Sequence, residues 1–412
     1  MLTIRMRRVS LLLLALALLI AIGWRVLTLG LADHYARRDP ERALALRPDH
    51  PLALVVRAEQ LAAAGQWPAA ARLARKSLLG NPLQGRAYRL LARAAQADGD
   101  STQAYALYRI AARRSPRDLP TRVWLFNHHL ELGQAAAAMG DLDAILRARP
   151  QVIPVLSETI FGAATRPEMQ PAFVAALKNL PPWRASVLSM VVRSAPDLDG
   201  VAGLMQRLRS GAERIDPVIA EEWIERLIRE RRYQQAYVQW AATLVPQARA
   251  VIGNVFNGEF ELPPSNRGFD WRIEAVAGAR IDLLPAAGGK GLSLRLAFDD
   301  QRVPFRHLSQ LLLLPAARYR LDGLVRMEAL RTERGLVWTL SCAEDGRVLA
   351  SSEALRGTVS WQSFSLGFEI PQAACQGQWL RLQHSARVAS EQRISGNIWF
   401  DALRVSRQTH SP

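Results

Sequence analysis

Little in this sequence offers reactive chemistry. Two cysteines and seven histidines are spread over 412 residues, and two cysteines without clustered histidine cannot make a zinc site. Neither a Gly-x-Ser-x-Gly nor a His-Glu-x-x-His occurs, and Gly288-Gly289-Lys290 lacks the spacing and the following Ser or Thr of a phosphate-binding loop. Lysine is nearly missing: Lys76, Lys178 and Lys290 stand against 50 arginines. That bias reads as the mark of a GC-rich coding sequence, and no nucleic-acid-binding motif accompanies the formal charge of +16. No cysteine follows the N-terminal apolar run, which argues against a lipoprotein.

What is present begins with that run. Arg5, Arg7 and Arg8 form a basic flank over residues 1–8, and an apolar segment occupies 9–31. Positive charge on the N-terminal side predicts that this end stays in the cytoplasm and that the rest is exported. An uncleaved signal anchor is expected, because the apolar region is long and Arg25 can snorkel to the far interface. The competing reading is a cleaved signal peptide with Gly30 and Ala32 as its small-residue site. In an exported chain the cysteine pair, Cys342 and Cys375, is most simply a disulfide; two buried thiols are the alternative if export is wrong.

Charge is uneven along the chain. From residue 251 onward 19 basic side chains face 16 acidic ones, a balance of +3, which leaves +13 on the preceding part. A solvated basic helical face is one reading of this excess, and attraction to anionic lipid or to an acidic polymer is the other.

Pro48, Pro82, Pro116 and Pro150 stand 34 residues apart, in phase with Gly65, Gly99 and Gly133 and with Ala70, Ala104 and Ala138. Each type has its own mechanical role. The glycine turns the chain between two helices, the alanine lets them approach, and the proline ends the second one. This period is that of the tetratricopeptide repeat, an architecture that binds protein surfaces and carries no chemistry of its own. The repeat region is expected over 32–150, opening with a lead-in helix over 33–50. In the third repeat Phe126 takes a small-residue position and Ala135 stands where Trp67 stood. Over 151–250 the register is lost and then partly regained, with Trp223, Leu227, Tyr233 and Ala236 forming a capping repeat that docks onto the C-terminal region. Trp24, Trp67, Trp124, Trp183, Trp223 and Trp240 read as packing residues. His128 and His129 are neighbours on one helix, so their side chains diverge and cannot share a metal in cis.

At Val251 the apolar period changes from 3.6 to 2. Eight or so alternating runs bounded by Gly, Pro and Asp predict an antiparallel β-sandwich over 251–412. The fold class is therefore α then β: a transmembrane helix, a helical repeat solenoid and a C-terminal sandwich of jelly-roll type.

Four phrases in that last region resemble, in order, the carbohydrate-binding-module jelly rolls of the xylan- and cellulose-binding type: Asn257-Gly258-Glu259-Phe260-Glu261 followed by Trp271; Gln310 to Pro315 leading to Tyr319 and Leu321; Trp361-Gln-Ser-Phe364 with Phe368 and Pro371; and Gly396 to Val405. The resemblance implies a structural calcium held by Glu259 or Glu261 with Asp401, although the family's second aspartate is Ala402 here; a hydrogen-bonded pair of strand ends is the alternative. It also implies that Trp271, Trp361, Phe364, Phe368 and Trp399 are core residues, with Trp338 pointing inward on its own strand pattern. Arg326 and Glu328, alternating outward from Val325 and Met327, are the candidates for a glycan groove or else form an ordinary surface pair. Glu328, Asp345 and Glu369 are the carboxylates from which a glycosidase pair would be drawn, and nothing in their spacing singles them out.

The expectation is a non-catalytic scaffold, single-pass in a bacterial inner membrane with its bulk in the periplasm. Its solenoid would hold a protein partner and its sandwich would contact glycan, in the manner of repeat proteins of exopolysaccharide or O-antigen assembly and export. The alternative is a general envelope assembly scaffold whose sandwich docks protein only; a carbohydrate-active enzyme is a minor third reading.

Overall fold

The computed structural model describes residues 2–210, 215–286 and 291–408, the side chains of 2–12 excepted. Gly288-Gly289-Lys290 and the side chains of Arg5, Arg7 and Arg8 thus lie outside the described residues. The chain forms two compact units, one comprising Met1–Val187 with Ala195–Glu213 and the other Leu188–Ser194 with Arg214–Pro412.

The first unit opens with α1 (Leu2–Tyr35), of which Leu13–Tyr35 is long and apolar enough to cross a membrane. Trp24 is 68% exposed on this span, so it is not the packing residue expected. The lead-in helix is also shorter than 33–50. α1 runs on through Tyr35 and α2 covers only Pro40–Leu46, because the Asp39 carboxylate accepts the Arg42 N–H and Pro40 takes the first helical turn. Ala32, Ala36, Ala43 and Ala53 are fully buried, the last three in one small cluster.

Three helical hairpins follow: α3 (Pro51–Ala63) with α4 (Trp67–Gly80), α5 (Gly85–Ala97) with α6 (Ser101–Arg114), and α7 (Leu119–Glu131) with α8 (Ala135–Ala148). The 34-residue phase is visible atom by atom. Gly65, Gly99 and Gly133 turn each hairpin at φ of +75°, +83° and +66°, in the left-handed region open to glycine at no steric cost. Ala70, Ala104 and Ala138 have no exposed surface. Each phased proline lies one residue beyond a helix C-cap, and those caps, Arg47, Asn81, Ser115 and Arg149, are driven to φ between −133° and −146°. A residue before proline is pushed out of the helical region in this way. Phe126 is buried and the third hairpin closes despite it. Trp67 and Trp124 are half-buried at helix surfaces, whereas Trp183, Trp223 and Trp240 are buried as expected.

Beyond them lie α9 (Ser157–Thr165), α10 (Gln170–Lys178) and α12 (Leu198–Ser210), while α11 (Arg184–Ser194) belongs from Leu188 onward to the second unit. α9 packs on α10 and on α12. At Gly200 a Cβ would collide with Thr165 of α9, so the glycine sets how closely those two helices approach.

The second unit holds the last helix pair, α13 (Pro217–Arg229) and α14 (Tyr233–Thr243), the short α15 (Pro246–Ala250), and ten strands. Arg231 makes the α13–α14 turn at φ +60°, where the earlier hairpins use glycine. The pair is fastened to the sandwich. Glu225 accepts from the Gly268 N–H at 2.8 Å and from Arg272 at 2.9 Å, Arg267 pairs with Glu221, and the Trp240 ring lies so close over Gly268 that no side chain would fit there.

One sheet has the order β1 (Arg272–Ile273), β4 (Leu308–Leu312), β9 (Gln378–His384), β6 (Leu336–Cys342), β7 (Val348–Ser351). The other runs β2 (Ala279–Pro285), β3 (Leu292–Arg302), β10 (Arg393–Arg407), β5 (Ala317–Thr332), β8 (Gly357–Ile370). All pairings are antiparallel. Eight of these strands coincide with the alternating runs in the sequence; β1 and β2 do not, being too short or too evenly half-buried to alternate clearly. Between the sheets, Trp271, Leu294, Leu321, Val325, Trp338, Leu380, Ile398 and Phe400 are fully buried, which at about 25 cal/mol per Å² of apolar surface makes this layer the main stabilising term of the unit.

Candidate functional site

Strand alternation sends residues 394, 398 and 400 of β10 into the core and leaves Asn397, Trp399 and Asp401 on the outer face of the sheet. Trp399 is therefore half-exposed and stands outside the buried cluster, a correction to its expected core position. Trp361 is likewise half-exposed, on the edge strand β8, beside an irregularity in the β5–β8 register between Val325 and Met327. Trp271, Phe368 and Trp338 are buried as expected, and Phe364 packs partly buried against them.

Register places the partners of Trp399. Arg326 of β5 lies directly opposite it on one side and Arg295 of β3 on the other. The Arg326 guanidinium sits 4.6 Å from the centre of the Trp399 ring and donates to Glu328 at 3.2 Å. Glu328 is in turn opposite Asn397. Arg295 donates to Asp282 at 2.8 Å, while its buried Nε has no hydrogen-bond partner among the described residues. Arg326 and Glu328 thus belong to one outward patch with Trp399, Asn397, Arg295 and Asp282. The signal that finds Trp399 in the sequence is its place between Ile398 and Phe400: strict alternation makes all three inward positions impossible.

The opposite sheet carries a second, smaller patch. Trp379 on β9 has Arg272 and Arg381 at 5.4 and 5.8 Å from its ring, and the Gln383 amide donates to Thr339 at 3.1 Å. Burial, with the Arg306 charge nearby, holds the Arg381 guanidinium below its ordinary range.

The carboxylates implied for calcium are brought to one end of β10 but are committed separately. Glu259 pairs with Arg404, Glu261 accepts the Leu292 N–H at 2.9 Å, and Asp401 accepts the Ala402 N–H at 2.6 Å. Burial, and then the charges of Glu259 and Glu261, push the Asp401 carboxyl above its usual range. Among the described residues no group of three His, Cys, Asp or Glu is gathered to hold a metal. All three acids weighed for glycosidase chemistry have exposed arginine partners, Glu328 with Arg326, Glu369 with Arg318 at 3.1 Å and Asp345 with Arg347 at 4.0 Å; Asp345 also accepts the Arg347 backbone N–H at 2.9 Å.

Cys342, the last residue of β6, and Cys375, in the loop before β9, are joined by a disulfide, both buried. His129 is buried with Nδ1 at 2.9 Å from Asp141 and Nε2 at 3.2 Å from the Tyr105 hydroxyl, while His128 stacks on Trp124. Both rings also border Tyr105, at 4.9 Å for His128 and 5.8 Å for His129.

No protein-family model matches the chain, and no curated protein matches it in sequence. Among solved structures, a family 4 carbohydrate-binding module is 18% identical and aligns over 37% of this chain and 99% of its own, with a TM-score of 0.29. TmCBM61, solved with β-1,4-galactotriose, is 16% identical over 38% of this chain and 99% of its own, TM-score 0.25. PilF of Pseudomonas aeruginosa is 18% identical over 49% of this chain and 79% of its own, TM-score 0.22. Likenesses at these values decide neither ligand nor partner.

Proposed function

We propose that this chain is a non-catalytic, membrane-anchored scaffold of the bacterial envelope, with its bulk in the periplasm, whose helical repeats hold a protein partner and whose sandwich contacts glycan during exopolysaccharide or O-antigen assembly or export. The glycan reading is carried by Trp399, an outward indole set among paired polar side chains on three adjacent strands. A flat apolar ring meets the C–H face of a sugar while neighbouring polar groups meet its hydroxyls. The disulfide supports export. An uncleaved anchor is supported by Ala32, buried in a helix that continues unbroken from the apolar span into the fold.

One observation favours the rival reading, in which the sandwich docks protein only: Arg326 already lies over the ring that a sugar would use. Both readings meet in one experiment. The full chain in detergent, applied to a glycan array and to affinity gels cast with candidate polysaccharides, is expected to bind, and Trp399→Ala is expected to weaken that binding at least tenfold with its melting unchanged. Absence of binding to every glycan by the native chain would leave the protein-docking reading.

A further inference from the structure

The sandwich has four edge strands, one at either end of each sheet. Three are blunted in ways that keep a strand from recruiting another: β1 has two residues, β7 has four, and β2 carries Arg280, Asp282 and a terminal Pro285. β8 is left open. It runs for 14 residues without lysine, arginine, aspartate or proline, and its one charge, Glu369, is paired with Arg318. Irregularities in its ladder with β5 disturb residues 357–361, which blunts that end, but 362–370 pair evenly with 317–325. Among the described residues no backbone hydrogen bond other than this ladder reaches β8. In a strand paired on one side every second residue turns its N–H and C=O away from the partner, and along 362–370 nothing among the described residues takes those groups up.

The two faces of this stretch differ. Leu366, Phe368 and Ile370 are buried and Phe364 is half-buried toward the sandwich, while Ser363, Ser365, Gly367 and Glu369 alternate with them and are exposed. A two-fold axis perpendicular to the sheet leaves each face on its own side, so a second β8 laid antiparallel along this edge sets inward residues against inward and outward against outward. Centred on Leu366, the pairing uses the whole regular stretch. Phe364 then lies opposite Phe368, Ser365 opposite Gly367 and Ser363 opposite Glu369, with Gln362 opposite Ile370 at each end. No two charges meet, and aromatic residues pair across the join. The strand itself offers a charged partner no counter-charge over 362–368; an identical strand meets it residue for residue.

We infer that β8 is a self-association edge, at which two copies of this chain join antiparallel through 362–370 and double the five-stranded sheet that β8 closes. The joined sheet carries two Trp399 patches on one outer face, so a polymer with repeated sites is held at two points. This inference stands on the edge alone and does not depend on what the patch or the repeats bind.

The test measures the protein mass of the full chain in detergent by light scattering over a range of concentrations. The native chain is expected to form a dimer that dissociates on dilution. Ser365→Lys with Gly367→Lys sets like charges opposite each other across the join and should weaken association at least tenfold, and Ser365→Glu with Gly367→Glu should do the same. Both positions are exposed, and a Cβ at Gly367 meets nothing within 4 Å. On β5 they face Asp322 and Arg320, so either pair gains one attractive and one repulsive neighbour, and melting is expected to stay native. Mixing the two double variants should restore a dimer containing one chain of each. Hydrogen exchange on the native chain needs no variant: amides of 362–370 should be better protected at high concentration than at low, and those of β2 should not change. A native chain that stays monomeric, including one whose edge takes up a strand of another protein, would overturn the proposal. So would a dimer that both double variants leave intact, a mixture that fails to reassociate, or exchange over 362–370 that does not respond to concentration.

Discussion

Glycine does different work in the two halves of this protein. At Gly65, Gly99 and Gly133 the backbone needs a left-handed turn, and around each of them a Cβ would find open space. At Gly258, Gly268 and Gly396 a Cβ would run into the Leu403 carbonyl, the Trp240 ring and the Ala329 carbonyl. At the three hairpin turns glycine supplies a dihedral angle; at these three positions of the sandwich it supplies room, with a positive φ as well at Gly268 and Gly396. The difference comes from topology. A hairpin of the solenoid is closed by residues a few positions apart, whereas Gly396 sits on β10 against β5, some seventy residues earlier in the chain. Errors in the first are local and errors in the second reach the whole core.

Substitution can break this contrast. Gly396→Ala combines a φ of +99° with a backbone collision and is expected to cost about 2–5 kcal/mol, the sum of a left-handed penalty and overpacking. Gly99→Ala, bearing only the dihedral penalty, should cost about 1–2 kcal/mol. Hydrogen exchange of the full chain, followed separately over the hairpins and over the strands, checks both; equal costs at the two sites would remove the distinction.

Reduction of Cys342–Cys375, which closes a separation of 33 residues, is expected to destabilise the second unit by about 3–4 kcal/mol in the chain-entropy account. Exchange over α3 to α8 should stay as it was. Loss of protection in the hairpins on reduction would mean that the units unfold together.

Within the solenoid, Ala104→Leu forces extra methyl groups into a contact with no free surface and should cost about 1–3 kcal/mol. An unchanged exchange pattern over α5 and α6 would contradict the packing role of the phased alanine.

The smallest expected effect is a pH dependence at Asp401. Its carboxyl is raised by burial and by Glu259 and Glu261, so its contribution is most favourable while it is protonated and is lost as pH rises through the folded-state pKa. Asp401→Asn keeps an acceptor for the Ala402 N–H and should therefore stabilise the second unit at neutral pH, with the gain vanishing in acid. The same melts, run with calcium and with chelator, are expected to superimpose. A calcium-dependent rise that Asp401→Asn abolishes would show that the carboxylates regroup around the ion.

The order of elements was legible because it is written in short-range terms. Apolar periods of 3.6 and 2, three residue types in one 34-residue phase, and proline after each second helix need no knowledge of distant neighbours. The candidate site was only half legible. Arg326 and Glu328 follow from alternation along one strand, yet the resemblance put Trp399 in the core, and its neighbours on the outer face are settled by register with β3 and β5.

By itself, then, the sequence determined what each segment is, a membrane-compatible helix, hairpins that repeat, strands that alternate, since these depend on backbone sterics and on which side chains lie within a turn or two of one another. Only the tertiary structure decided which strand edge is left without a partner and which aromatic faces outward. Those are properties of pairs of residues from different elements, and the energy of each pair depends on a separation that no local pattern encodes.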